Sequence, residues 1–200
     1  LLVYGATGSS NFPMVSPVQN TFRGGTLYTN TYVIEFNNGT DIYISKFNAA
    51  GSTLQGSTYA GGSGNDGLNT STILVNNYAD QARGEIIVDD QDNIFVASST
   101  HSTNFPVTTG VAQTTNRGGQ DACLLKYTPN LQTLVFSTYL GGTQDDAGYA
   151  LQIAANDEIF VSGGTRSSNL PNMSGLNTTY RGGTADGFIR RVNAPGAAFQ

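Results

Sequence analysis

The stretch that decides the fold is Asn93-Ile94-Phe95-Val96-Ala97-Ser98-Ser99-Thr100, because it returns 65 residues later as Glu158-Ile159-Phe160-Val161-Ser162-Gly163-Gly164-Thr165. Each copy runs from β-branched and aromatic residues into small hydroxyl-bearing ones or glycine, as a strand does where it feeds a loop. The spacing carries outward. Asn104-Phe105-Pro106 is matched by Asn169-Leu170-Pro171 and Asp121 by Asp186, while Arg117-Gly118-Gly119 is matched by Arg181-Gly182-Gly183 after 64 residues. An earlier copy holds Tyr4-Gly5-Ala6-Thr7, Asn11-Phe12-Pro13, Arg23-Gly24-Gly25 and Asp41 to Lys46. Ser57-Thr58-Tyr59-Ala60-Gly61-Gly62 pairs with Ser137-Thr138-Tyr139-Leu140-Gly141-Gly142 at a step of 80. Many matches in one order make this a repeat protein.

The complete middle unit contains four β-like runs, at residues 84–89, 94–100, 122–128 and 134–140. Asp90-Gln91-Asp92-Asn93 separates the first two and Thr128-Pro129-Asn130 the last two, both with turn chemistry. In the third run Cys123, Leu125 and Tyr127 share one face, and Ala122, Leu124 and Lys126 the other. The reading is all-β: a β-propeller of four-stranded antiparallel blades, of which the chain holds about three, two of them partial, out of a larger ring. A β-solenoid competes, but its repeats are shorter and lack a long loop such as residues 102–119. Residues 1–93 are assigned to the first blade, starting in its second strand, together with the lead-in strand of the next. Residues 94–158 form the middle repeat and 159–200 a truncated third. Insertions at about 27–40 and 68–82 are expected to extend the first blade or project from it.

Composition agrees. Only 12% of the 200 residues are charged, glycine numbers 25, and the polar remainder is rich in Thr, Ser and Asn, which favours strands and tight turns over helices. Hydrophobic residues at 38% suffice for a core. A net charge of −5 argues against nucleic acid, whose phosphates need clustered Lys and Arg. No run of 18 apolar residues exists to span a membrane. The single cysteine, Cys123, excludes an intramolecular disulfide and a cysteine-based zinc cluster. Low charge with abundant Thr and Asn fits a secreted or cell-surface location. The absent initiator Met and a first strand already under way at Leu1 suggest a piece of something longer.

Three motifs carry a family resemblance: Thr100-His101-Ser102-Thr103-Asn104-Phe105-Pro106, the Arg-Gly-Gly-x-Asp run from Arg117 to Asp121, and Ser137 to Asp146. Together they resemble the SBBP β-propeller repeat of bacterial proteins. The resemblance implies a multi-bladed propeller inside a large secreted or surface protein. It implies no catalytic activity and supplies no set of active-site residues.

Features found in every copy are expected to hold units together, whereas features found once are freer to carry function. Asp66 and Asp146 follow the Gly-Gly turn, and Asp41, Asp121 and Asp186 open the third strand. They are read as acceptors for loop amides, with calcium coordination as the functional alternative. Asp89, Asp90 and Asp92 read as a hairpin turn, and Arg23, Arg117 and Arg181 as guanidinium ties between loops. Lys46, Lys126 and Arg191 read as solvated or locally paired. Cys123 aligns with Tyr43 and Phe188 and is read as a buried hydrophobe. His101 lacks a nucleophile motif nearby.

Tyr28, Tyr32, Glu35 and Asn38 in the first insertion and Asn69 and Tyr78 in the second are the candidates for partner contact, since aromatic, Asn-rich loops on a rigid scaffold suit recognition. The first reads as a hairpin, an apolar run followed by Asn37-Asn38-Gly39. The expectation is a non-enzymatic surface module that binds a protein or glycan, with no cofactor and with the remaining blades supplied by the same longer polypeptide. A carbohydrate-active or other hydrolytic propeller, and a purely structural spacer, are the alternatives.

Overall fold

The computed structural model describes residues 1–29, 35–75, 80–155, 157–171, 179–193, 196 and 198–199. Among these residues twelve strands follow in order: β1 (Leu2–Thr7), β2 (Tyr28–Thr29), β3 (Glu35–Phe36), β4 (Asp41–Phe47), β5 (Leu54–Ala60), β6 (Glu85–Val88), β7 (Ile94–Thr100), β8 (Asp121–Tyr127), β9 (Leu134–Leu140), β10 (Asp146–Ile153), β11 (Ile159–Thr165) and β12 (Asp186–Val192). The fold is all-β, and every strand pair is antiparallel. Among the described residues the only helical element is one 3-10 turn at Asp80–Ala82, so none is long enough to cross a membrane.

Three sheets hold the repeats. The middle one is a four-stranded meander, β6-β7-β8-β9, flanked by β1-β4-β5 and β10-β11-β12, while β2 and β3 form a separate hairpin. The registers are the same from sheet to sheet. Ser98 faces Cys123 and Thr100 faces Asp121, and 65 residues on Gly163 faces Phe188 and Thr165 faces Asp186. The four runs expected in the middle unit match its four strands to within a residue at most ends.

The sheets pack face to face, and β8 shows why its alternation matters. Its Cys123, Leu125 and Tyr127 join one core with Ile42 and Ile44 of the first sheet. Its Ala122 and Leu124 join another with Val161, Phe188 and Val192 of the third. Both faces are therefore covered, and the strand is apolar from Ala122 to Leu125, with Asp121 and Lys126 on either side of that run. β12 differs, because its burial alternates. Phe188 and Val192 are buried, but Ile189 is 76% exposed, where its counterparts Ile44 and Leu124 are 0% exposed.

The turns are locally determined. Asn48 Oδ1 accepts from the amides of Ser52 and Thr53, and Gly51 takes the positive φ of 70° that residues 48–53 require. In the 89–93 turn Asp89 Oδ1 accepts from Gln91 and Asn93 amides, as a hairpin turn predicts.

The second insertion departs from its expected place. Asp66 bridges Thr100 as Asp146 pairs with Thr165, and Glu85 faces Ala97 as Ala150 faces Ser162. Residues 68–75 and 80–84 thus lie between the two paired parts of the first strand of the middle sheet, where β10 carries only a bulge between Gly148 and Ala150. A bulge already unpairs residues from the ladder, so it is the point where extra chain enters at least cost. The segment folds inward: Leu68 and Leu74 are 3% exposed.

Candidate functional site

The motif residues form one clasp per junction. Asp66 accepts hydrogen bonds from Gly62 N (2.7 Å), Ser102 Oγ (2.7 Å) and Thr100 Oγ1. Asn104 Oδ1 accepts from Ser63 N and Oγ. Tyr139 Oη donates to Ser102 O and accepts from Phe105 N. At the next junction Asp146 accepts from Gly142 N (2.7 Å) and Ser167 Oγ (2.8 Å), and Asn169 Oδ1 accepts from Thr143. The glycines are obligatory here, because a Cβ on Gly62 or Gly142 would lie within 2.6 Å of Ser102 or Ser167 Cβ. Each clasp joins the end of one sheet to the first two strands of the next.

A second set of acids holds the Arg-Gly-Gly loops. Asp41 accepts from the amides of Arg23 (2.8 Å) and Gly24 (3.0 Å), Asp121 from those of Arg117 (3.0 Å) and Gly118 (3.1 Å), and Asp186 from that of Arg181 (2.7 Å). The main chain of each arginine makes the tie, so the guanidinium role expected from the sequence is corrected: among the described residues those three guanidinium groups make no hydrogen bond or ion pair. Lys46 donates to Pro129 O, Lys126 pairs with Asp89 at 3.3 Å, and Arg191 pairs with Glu158 at 3.0 Å. Among the described residues no three His, Cys, Asp or Glu side chains are grouped to hold a metal ion.

Burial dominates the titration of these acids. It raises Asp41 to about 6 and Asp66 and Asp121 to about 7, and raises Asp146 as well, against the amide and hydroxyl donors that favour the carboxylate. Burial of Asp89 also opposes ionisation, but Asn93, Gln91 and Lys126 together outweigh it and its pKa is lowered. An acid whose folded pKa lies above its unfolded value of 3.8 binds protons more tightly when folded, so folding gains as pH falls from about 7 towards 4. His101, lowered by burial, opposes this below its unfolded pKa of 6.5, but it is one group against four. The melting temperature is therefore expected to be higher at pH 5 than at pH 8, as scanning calorimetry would record; a fall would contradict the assignment.

The densest polar cluster lies where the inserted residues 68–84 meet the loops around them. Thr70 Oγ1 is 2.7 Å from His101 Nε2, and Gln120 Oε1 is 3.1 Å from the same nitrogen. Gln120 Nε2 donates to Asn69 Oδ1 and Asp146 O, which fixes its oxygen towards His101. Nε2 therefore carries the proton, and Thr70 is an acceptor rather than an activated nucleophile. Ser71 Oγ donates to Asp145, which also pairs with Arg166 at 3.3 Å. Tyr149 Oη donates to Leu74 O, and the Arg83 guanidinium stacks 5.0 Å above the Tyr149 ring while pairing with Asp80. These bonds make the cluster a strap across the second and third sheets, with Arg166 Nε left unmatched.

The six partner-contact candidates separate. Glu35 and Asn38 are exposed on the β2–β3 hairpin, and Tyr28 stacks on Phe36 with ring centroids 6.5 Å apart. Asn69 is 0% exposed; its amide donates to Leu74 O and its oxygen accepts from Ser71 N and Gln120, which places it in the scaffold. Tyr32 and Tyr78 lie outside the described residues. Cys123 is fully buried, and burial pushes its thiol pKa up. No known protein-family model matches the chain, and neither does any curated protein.

Proposed function

We propose that the three sheets are successive blades of a β-propeller, and that the module is a non-enzymatic interaction unit of a secreted or surface protein, presenting its β2–β3 hairpin to a protein or glycan. Four features support the propeller: the four-stranded meander, face-to-face packing through repeat-equivalent surfaces, one clasp per junction, and a lone Ile189 exposed where two copies are covered. Ser9 Oγ, at the position of Ser102, donates to Asn11 Oδ1, at the position of Asn104. Further blades of the same polypeptide fit both ends.

The contrast between the insertions carries the functional reading. Residues 68–75 and 80–84 are consumed in the scaffold, whereas the hairpin stands as its own two-stranded sheet with Thr29, Glu35, Asn37 and Asn38 exposed. Its base is pinned, through Gly25 N to Asn38 O (2.8 Å) and the close approach of Gly39 to Gly25. Rigid scaffolds that carry unique exposed loops place recognition there. Shortening the hairpin between Tyr28 and Asn37 with a glycine linker, keeping Asn38 and Gly39, is expected to leave the melting temperature within about 2 °C. The same variant should abolish binding on a glycan array or to a secreted-protein fraction. A truncation that unfolds the chain, or one that binds as the parent does, would overturn the reading.

A further inference from the structure

A cavity of about 250 Å³ opens between the first and second sheets. Its outer wall is the 15–23 loop, which runs beside β5 through the Val15–Ser57 bridge and the hydrogen bond from Tyr59 N to Gln19 O. Asn20, Thr21 and Arg23 line it from this loop, and Pro106, Tyr127 and Leu134 from the second sheet and its loops.

Tyr127 lines the cavity, and among the described residues its hydroxyl makes no hydrogen bond, so it is left to whatever fills the cavity. The buried hydroxyls of Tyr59 and Tyr139 each make two. Packing does not demand this hydroxyl, because Phe47 and Val192 occupy the equivalent positions. Arg23 supplies the second feature, an exposed guanidinium that feels the Asp41 carboxylate but makes no hydrogen bond or close ion pair among the described residues, while its main chain is fixed by Asp41. The matching groove between the second and third sheets is closed instead. There Ala112 N donates to Gly196 O, and Phe199, at the position of Leu134, is packed into the core.

We propose that this cavity binds a single uronic acid residue, a hydroxylated six-membered ring bearing a carboxylate. Arg23 takes the carboxylate, the Tyr127 hydroxyl and the Asn20 amide meet ring hydroxyls, and Leu134 with Pro106 receives the C–H face. The volume falls below the roughly 300 Å³ at which sites for drug-sized ligands begin, and suits one ring. A neutral sugar would leave Arg23 unpaired, and an aromatic carboxylate would leave Tyr127 unmatched. The site uses none of the hairpin residues, so it stands or falls apart from the reading above.

The test is an NMR titration of the whole chain with D-glucuronate, D-glucose and benzoate. Saturable shifts at Arg23, Tyr127 and Leu134 are expected with glucuronate, at least about tenfold tighter than with glucose or benzoate. Arg23→Gln should weaken glucuronate about tenfold, as a charge-assisted contact is lost. Tyr127→Phe should weaken it about three- to tenfold while folding normally, because Phe47 already fills that position in the first sheet. Absence of saturable shifts, equal binding of glucose or benzoate, or unchanged affinity in Tyr127→Phe would overturn the proposal; the last result would make the cavity a simple gap in packing.

Discussion

Asp66→Ala is expected to destabilise the chain by about 3–5 kcal/mol, because it strands the Gly62 amide and the Thr100 and Ser102 hydroxyls in a buried site at about 1–3 kcal/mol each, partly relieved by relaxation. Asp66→Asn keeps an acceptor at the same place and should lose less than half as much. It should also lessen the rise in stability between pH 8 and pH 5, since one of the acids that burial raises is gone while Asp41, Asp121 and Asp146 remain. Denaturant unfolding of the three proteins at both pH values reads all of this. A loss under about 1 kcal/mol for Asp66→Ala would mean that the clasp is incidental to the junction.

Leu124→Ala is the second large effect, at about 2–5 kcal/mol, as expected for deleting a leucine's buried methyl groups from a core with both sheets in place. Ile189→Ala, at the same point of the third sheet, should change stability by less than about 0.5 kcal/mol, because that side chain is 76% exposed. The comparison is internal and uses one readout. Equal costs would show that the third sheet's outer face is covered in the isolated chain.

The strands and their facing are legible because alternation and the 65-residue step reinforce each other: the sequence divides β8 into Cys123, Leu125 and Tyr127 against Ala122 and Leu124, and those two sets enter different cores. The acids were legible as loop acceptors, since repetition selected them. The arginines were misread because recurrence marks a position without saying whether its side chain or its amide acts. Residues 68–84 were misplaced for a related reason. Their Ser, Thr and Asn content reads as an exposed loop, and only the bonds of Thr70, Ser71 and Leu74 to Gln120, Asp145 and Tyr149, distant in sequence, tie these residues into the scaffold. Tyr127 carried no signal at all: an aromatic at an apolar position looks complete until its hydroxyl is found without company.

The self-contained turn at residues 48–53 has a practical consequence for shuffling such modules. Splicing there, or at residues 128–133, where Thr128 and Asn130 bond locally, exchanges segments while each Gly-Gly-Asp stays in cis with the serine it holds. A cut between Gly62 and Asp66, the intuitive border between units, would divide the very latch that locks neighbours together. Permutants and chimaeras of this chain should therefore be joined through the hairpin tips, mid-unit.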